Sequence, residues 1–210
     1  MTQVTAAFLY TDNMPRRSTL KDYYAELLFM EKVPPREMVT EWPPALVDEI
    51  KAAFKDAYAK ANLKDSSLSL KPGSRPQSVG NQIEPSIANA LATHISSWNL
   101  EACIGPGYPD RLLRNEAHKL PVEFKSTGQW DDADSNRCVL TSSSTKLREQ
   151  FVAPIYHLLV TVKFDRLEDT ATIRQLRLDF LSPSTTVNIR FEGSVSQRIL
   201  ARATHPTDEF

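Results

Sequence analysis

The sequence predicts an α+β (α/β) domain in which a mixed central β-sheet is flanked by helices. Apolar residues recur at helical spacing through much of residues 19–98, whereas residues 108–124 and 156–191 contain runs with the period of a strand. The predicted order is helices, a loop, a helix, a hairpin, a short helix and further strands, which is typical of this class. The 210 residues suffice for one domain with a substantial core. We therefore expect residues 1–210 to form a single domain, whose helical part, residues 1–63, joins the core or forms a dimer contact.

Two helices are predicted at the start of the chain. Ser18 is the expected cap of the first, which runs from Thr19 to about Glu31 and buries a stripe of leucines and tyrosines. The second is predicted from Pro44, in its first turn, to about Leu63. Residues 64–80 are rich in Ser, Pro and Gly and are predicted to be a loop, either simply solvated or in contact with backbone phosphate.

A third helix is predicted to follow this loop and to end near Trp98, because apolar residues from Ile83 onwards step by four and three. Pro85 is expected near the start of this helix, since proline is tolerated only in a first turn. Asn81 and Glu84 are three residues apart, as in a capping box. In that interpretation Glu84 has only a structural role at the helix start.

A β-hairpin is predicted next. Two apolar-rich runs, Tyr108–Leu113 and Leu120–Phe124, are separated by polar, turn-prone residues. Along the second run, Glu123 and Lys125 point to one face while Val122 and Phe124 point to the opposite, core-facing side. Asp110, near the end of the first strand, can therefore meet Glu123 and Lys125 at one site.

The remaining chain is predicted to be a loop, a short strand, a short helix and then strands. Residues 129–136 have the composition of an irregular loop, and residues 137–140 that of a strand. Five hydroxyl residues, 141–145, then precede a helix that reaches toward Phe151. Strands are predicted over residues 156–164, 173–181 and 187–191, and the last residues, 203–210, are expected to be frayed.

The hairpin residues suit metal-assisted phosphodiester hydrolysis. Two carboxylates can hold a hard divalent cation through oxygen, and a nearby ammonium can orient or activate water. Pro109-Asp110 followed by Glu123-Phe124-Lys125 on an apolar strand resembles the motif of the PD-(D/E)xK nuclease superfamily. The resemblance covers about residues 78–165 and implies a restriction-endonuclease-like fold.

Within that superfamily the chain resembles type II restriction endonucleases of the EcoRV/PvuII-like branch. The resemblance implies Mg²⁺-dependent, sequence-specific cleavage of double-stranded DNA that leaves a 5′-phosphate. It assigns Asp110 and Glu123 as metal ligands, the carbonyl of Phe124 as a further ligand, and Lys125 as the residue that positions or polarises the attacking water. It also implies a homodimer on a palindromic site and a cognate DNA methyltransferase in the same system.

Further site residues follow from the same resemblance. Many of these nucleases bring an additional acid to the metal site from a helix before the hairpin, and Gly80-Asn81-x-x-Glu84 resembles that placement. A catalytic role for Glu84 thus stands beside the capping box as an open alternative. The predicted DNA contacts are Asn81, Ser142, Ser143, Ser144, Lys146 and Arg148, although the hydroxyls among them also suit a helix start.

Composition limits the competing classes of function. The net charge of −1 argues against a protein that coats nucleic acid by bulk charge, and no Walker loop, GxGxxG or GxSxG element is present. No apolar run approaches the length of a membrane span, and no basic region precedes the apolar residues near the N-terminus, so we expect a cytoplasmic protein without membrane contacts. Two alternatives remain: a mismatch-repair-type nickase or structure-specific DNA nuclease, and a non-catalytic DNA- or protein-binding module.

Overall fold

The computed structural model describes residues 16–105, 107–128, 143–192, 198–200 and 208–210. Its helices are α1 (Leu20–Met30), α2 (Pro44–Lys60), α3 (Pro76–His94) and α4 (Thr145–Gln150). Its strands are β1 (Arg16–Thr19), β2 (Ser67–Ser69), β3 (Asn99–Ala102), β4 (Arg111–Arg114), β5 (Lys119–Thr127), β6 (His157–Leu167), β7 (Thr170–Leu181), β8 (Thr186–Glu192), β9 (Arg198–Leu200) and β10 (Asp208–Glu209).

A seven-stranded mixed sheet forms the centre of the fold, in the order β10-β7-β6-β5-β4-β3 with β2 also paired to β7. The pair β5–β6 is parallel, and the other pairs of this sheet are antiparallel. A second sheet of three strands has the order β1-β8-β9. The predicted α+β class with a mixed sheet flanked by helices is confirmed.

Helices cover both faces of the central sheet. On one face α2 and α3 pack against Val122, Phe124 and their neighbours in β6 and β7, in a large apolar core. On the other face α1 packs in a smaller core with Tyr108, Phe151 and Leu159. Because β5 and the first half of β6 are covered on both sides, nearly all of their residues from Leu120 to Thr127 and from His157 to Val162 are buried whichever way they point, as is usual where parallel strands lie inside a sheet.

The first two helices match their predictions apart from their ends. Thr19, not Ser18, caps α1: its hydroxyl accepts the N–H of Asp22 at 3.1 Å, while Ser18 lies within β1. Helix α2 starts at Pro44 as predicted but ends at Lys60. In the described part of the chain no helix has the length and apolarity needed to cross a membrane.

Helix α3 departs most from its prediction. It begins at Pro76, within the predicted loop, so Pro85 lies in its interior and not near its start. Proline has no N–H to donate, so the carbonyl of Asn81 loses its usual helical partner. Asn81 and Glu84 are likewise interior residues, and the capping box is therefore wrong: the cap position belongs to Arg75.

The hairpin is confirmed as β4 and β5, with Arg111 opposite Val122 and Arg114 opposite Lys119. Its first strand is shorter than predicted, so Asp110 lies just before β4. Strand β3, which pairs with the far edge of β4, was not predicted, because Trp98 extends the apolar spacing of α3 beyond its true end at His94. The loop and strand predicted for residues 129–140 lie outside the described residues.

Candidate active site

The candidate site lies at a fork in the central sheet. Strand β4 pairs with β5 only as far as Val122, whereas β5 continues to Thr127. Beyond Val122, this side of β5 has no strand partner among the described residues, while the other side remains paired with β6. Asp110, the residue before β4, therefore lies beside the unpaired edge of β5.

Asp110 and Glu123 are joined by reciprocal hydrogen bonds. The backbone N–H of Phe124 donates to the Asp110 carboxylate at 3.1 Å, and the backbone N–H of Asp110 donates to the Glu123 carboxylate at 3.1 Å. The Asp110 carboxylate thus accepts a backbone donor that a further strand would otherwise take. The fork itself fixes the two acids side by side.

Lys125 completes the predicted triad. Its ammonium lies 2.5 Å from the second oxygen of Glu123, and both side chains are largely buried, with exposed fractions of 15% and 5%. The two residues share a face because they are two apart in a strand. The sequence-predicted residues Asp110, Glu123 and Lys125 are therefore brought together by the structure.

Glu84 approaches the same point from α3. The hydroxyl of Ser126 donates to its carboxylate at 2.9 Å. Gly80 lies one helical turn before Glu84, and a Cβ there would be 3.0 Å from the Ser126 hydroxyl and 3.1 Å from the Glu84 carboxylate. A residue without a side chain at position 80 lets the helix come this close to β5.

The electrostatics of the cluster follow from its excess of acids. Burial raises the pKa of Glu123 to about 8; the nearby Lys125 lowers it, and the charge of Asp110 adds to the rise. Burial also raises the pKa of Glu84, against the opposing effects of Lys125 and the Ser126 hydrogen bond. Burial alone would lower the pKa of Lys125, but attraction to Glu123, Glu84 and Asp110 outweighs it and raises that pKa. The cluster thus holds its lysine charged and retains a proton on an acid near neutral pH.

A cleft of about 280 Å³ opens between α3 and the fork. Its lining includes Asn81, Glu84, Pro85, Asp110, Arg111 and Phe124. Arg111 is held at the rim by one bond, from its Nη2 to the side-chain oxygen of Asn89 at 3.0 Å. The cleft therefore presents carboxylates, a guanidinium and the residue Asn81.

The oxygens at the fork fit a hard divalent cation. Because the N–H and C=O of one residue point to the same side of a strand, the carbonyl of Phe124 faces the edge where its N–H meets Asp110. Two carboxylates and one carbonyl are ligands of the type that Mg²⁺ takes. No group of three or more His, Cys, Asp or Glu side chains has metal-ligand spacing in the part of the chain that the structure describes, so the predicted set depends on the Phe124 carbonyl as its third oxygen.

The predicted DNA contacts are placed in several environments. Asn81 is exposed on the cleft, and the hydroxyl of Ser143 bonds to that of Thr145 at 3.0 Å. Ser144 is fully buried, and Lys146 and Arg148 also bond within the protein. Ser142 lies outside the described residues. The structure thus corrects the prediction for Ser144, because a fully buried hydroxyl cannot reach DNA in this conformation.

Sequence reasoning missed the anchor of the loop that carries Asp110. The hydroxyl of Tyr108 bonds to Nδ1 of the buried His157 at 2.6 Å, and Nε2 of His157 bonds to the carbonyl of Met38 at 2.6 Å. A carbonyl only accepts, so Nε2 carries the proton and Nδ1 accepts from Tyr108. Burial lowers the pKa of His157 to about 4, which keeps the ring neutral.

No role was predicted for Arg111, Ser126 or Gly80, although Gly80 opens the pattern Gly80-Asn81-x-x-Glu84. The first two adjoin motif residues, and Gly80 precedes Glu84 by one helical turn. These spacings become informative only once α3 is known to start at Pro76.

Comparison of the chain with protein-family models, with curated proteins and with solved structures finds no match. The case for a function therefore depends on the chemistry and geometry of the site.

Proposed function

We propose that this chain is a Mg²⁺-dependent endonuclease that hydrolyses phosphodiester bonds of double-stranded DNA. The observation that carries the proposal is the meeting of Asp110, Glu123 and Lys125 at the fork between β4 and β5. An ordinary surface Glu/Lys pair would be solvated, whereas Glu123 is only 4% exposed. Burying this many charges costs stability, so a set retained in this form favours a chemical role.

The arrangement of the sheet supports a restriction-endonuclease-like fold as the finer assignment. An antiparallel unit of β3, β4 and β5 continues through a parallel pairing into β6, with helices on both faces. The acids belong to the hairpin and Glu84 to the helix before it, as the motif resemblance implies. Under this assignment Glu84 is a catalytic-site acid.

Each residue has a distinct task in the proposed reaction. Asp110, Glu123 and the carbonyl of Phe124 would hold Mg²⁺, which supplies positive charge for the phosphoryl oxygens as negative charge builds on them. Lys125 orients a water for in-line attack on phosphorus and stabilises the hydroxide that forms as the proton of this water passes to solvent, which in turn protonates the departing 3′ oxygen. Water attack with departure of the 3′ oxygen gives a 3′-hydroxyl and a 5′-phosphate.

Arg111 and Asn81 are proposed to bind the DNA backbone at the cleft. Arg111 uses one donor on Asn89, and a guanidinium has further donors suited to phosphate oxygens. Its charge also offsets the repulsion that phosphate meets from Asp110 and Glu84. Asn81 lines the same cleft from α3.

Sequence-specific cutting of both strands is proposed to require a homodimer. In a two-fold dimer each subunit meets one half of a palindromic site, and a type II restriction endonuclease would act beside a cognate DNA methyltransferase. The N-terminal portion, residues 1–63, is the candidate dimer contact. It includes Phe29, which is 77% exposed at the end of α1.

Cleavage of unmethylated plasmid and phage DNA tests the proposal. The purified chain is incubated with Mg²⁺ or with EDTA, beside Lys125→Met and the matched control Lys119→Met, an exposed lysine of the same strand. We expect discrete, Mg²⁺-dependent fragments with the wild type and the control, and a rate lower by about 10²- to 10³-fold with Lys125→Met. Equal rates for the two lysine variants would contradict the assigned role of Lys125.

The products also separate the alternatives. Nicked circles without linear DNA would indicate a nickase, and cutting confined to mismatched or branched substrates would indicate a structure-specific nuclease. DNA binding without cleavage under all metal conditions would favour a non-catalytic binding module.

A further inference from the structure

The loop between β3 and β4 sets the position of Asp110. It begins at Cys103, whose N–H donates to the carbonyl of Asp110 at 2.9 Å and so closes the loop. Gly105 and Gly107 have φ values of +89° and +81°, a region that favours glycine. These turns aim the carbonyls of Gly105, Gly107 and Pro109 at one point.

The ammonium of Lys146 occupies that point. Its Nζ lies 3.0 Å from the carbonyl oxygen of Gly105, 2.7 Å from that of Gly107 and 2.5 Å from that of Pro109. An ammonium has three donors, so this arrangement uses all of them. The lysine that resemblance nominated for DNA is thus fully engaged by the loop before Asp110.

Helix α4, which carries Lys146, is itself fixed to the end of α1. The carboxylate of Glu31 accepts the backbone N–H of Ser144 at 2.8 Å and also the hydroxyl of Ser144. Arg148 then donates to that hydroxyl at 2.7 Å and lies 3.8 Å from Glu31. The ammonium is therefore held by a rigid support.

We propose that Lys146 is a positioning residue for Asp110: its ammonium clamps three carbonyls of the preceding loop, so that Asp110 stays in register with Glu123 and Phe124. The assignment deepens the proposed nuclease function and rests on it for its effect on cleavage. It replaces the prediction that Lys146 contacts DNA.

Charge at this point is needed because three carbonyl dipoles converge on it. Without a cation their oxygens repel one another and must turn outward to water. The loop would then loosen at Pro109, next to Asp110, and the 3.1 Å bonds of Asp110 to Glu123 and Phe124 would lengthen. Residues that orient metal ligands have effects of about 10- to 100-fold on metal affinity or activity.

Two substitutions separate a clamp from a phosphate contact. Lys146→Met removes the charge. Lys146→Arg keeps it, but a planar guanidinium spreads its donors and cannot aim three of them at one point. Glu149→Ala is the control, because Glu149 is an exposed residue of the same helix.

For a clamp we expect both Lys146 variants to cleave about 10- to 100-fold more slowly and to need about 10-fold more Mg²⁺ for half-maximal rate. DNA affinity in Ca²⁺ and its dependence on salt should stay as in the wild type, as should every property of the control. Two results together would overturn the proposal and restore the phosphate contact. Lys146→Arg would keep wild-type activity, and Lys146→Met would reduce by about one the slope of the logarithm of the DNA binding constant against the logarithm of the salt concentration.

Hydrogen exchange keeps the test independent of catalysis. In Lys146→Met we expect the amides of Cys103, Asp110 and Phe124 to exchange at least about 10-fold faster, since local opening controls their protection. Unchanged exchange at these amides would overturn the clamp even if cleavage fell. If the wild type cuts no DNA, the nuclease proposal fails, while faster exchange in the variant would still establish the clamp.

Discussion

Gly80 controls how closely Glu84 can approach Ser126. Alanine inside a helix is ordinarily favoured over glycine by about 1 kcal/mol. Here the added Cβ would lie 3.0 Å from the Ser126 hydroxyl and 3.1 Å from the Glu84 carboxylate, so both would have to shift. A single atom at position 80 therefore competes with the contact that holds Glu84 in place.

We predict that Gly80→Ala will leave the free energy of unfolding almost unchanged and reduce cleavage, because the gain in helix propensity offsets the lost Glu84–Ser126 contact. In a Ser126→Ala background the same change should stabilise by about 0.5–1 kcal/mol, since the hydroxyl is gone. Urea unfolding of the four proteins measures this coupling. Strictly additive free energies would show that Gly80 has no such role.

At the scale of single residues, the meeting of Asp110, Glu123 and Lys125 was predictable from the sequence. The contacts that hold these residues in place were not. Strand periodicity alone puts Glu123 and Lys125 on one face, and the short turn brings Asp110 beside them. The role of Glu84 stayed open because it depended on where α3 begins. The partners of Lys146 lie about 40 residues earlier in a glycine-shaped loop, which no local pattern reveals.

Among the secondary-structure elements, α3 combines a structural defect with a functional position. Pro85 lies in its interior and lines the cleft, and the Asn81 carbonyl lacks the N–H that any other residue at position 85 would donate. Helix α3 also brings Glu84, which directly precedes this proline, to the site. The helix therefore lacks one backbone hydrogen bond at the point where it lines the cleft.

We predict that Pro85→Ala will stabilise the protein by about 1–2 kcal/mol, because it restores a helical hydrogen bond and removes the steric conflict of the ring. The control is Ser86→Ala, one residue further along the same helix, which should change stability by no more than about 0.5 kcal/mol. Thermal and urea unfolding give both values. A destabilised Pro85→Ala protein would mean that the cleft requires the ring.

Elements with a strong apolar spacing pattern were predicted from the sequence, whereas elements with a weak pattern were missed. The stripes of α1 and α2 and the alternation of β6 were sufficient for those three. Strand β3 was lost because Trp98 continues the spacing of α3, although the helix has already ended at His94. The early start of α3 was hidden by Pro and Gly, which favour turns but are also accepted at a helix start.

For the molecule as a whole, two buried groups with opposite pKa shifts shape the dependence of stability on pH. Burial raises the pKa of Glu123 from 4.5 to about 8, and burial lowers the pKa of His157 from 6.5 to about 4. Between pH 4.5 and 6.5 the folded protein holds a proton on Glu123 and the unfolded chain holds one on His157, so the two contributions cancel. Above pH 6.5 only the folded state holds the extra proton, and stability falls until about pH 8.

We predict that the metal-free protein will lose stability between pH 6.5 and 8, by at most about 1.4 kcal/mol per pH unit from this source. Glu123→Gln should remove that loss and be the more stable protein at pH 8, despite losing its ion pair, since the rise in pKa already includes the attraction of Lys125. His157→Asn should flatten the loss of stability that the wild type shows below pH 4.5. Urea unfolding in EDTA from pH 4 to 8 tests both. Parallel profiles for wild type and Glu123→Gln above pH 6.5 would contradict the assignment.

The edge of β5 that has no strand partner in the described part of the chain bears on the solubility of variants. An unpaired strand edge can recruit a strand from another molecule and start aggregation. The carboxylate of Asp110 accepts the Phe124 N–H and so keeps this donor from pairing with a strand of another molecule. Asp110→Ala, the obvious inactivating change, would uncover it and invite self-association, so that lost activity could reflect lost monomer. Asp110→Asn keeps an acceptor oxygen on the edge and is the cleaner inactive protein.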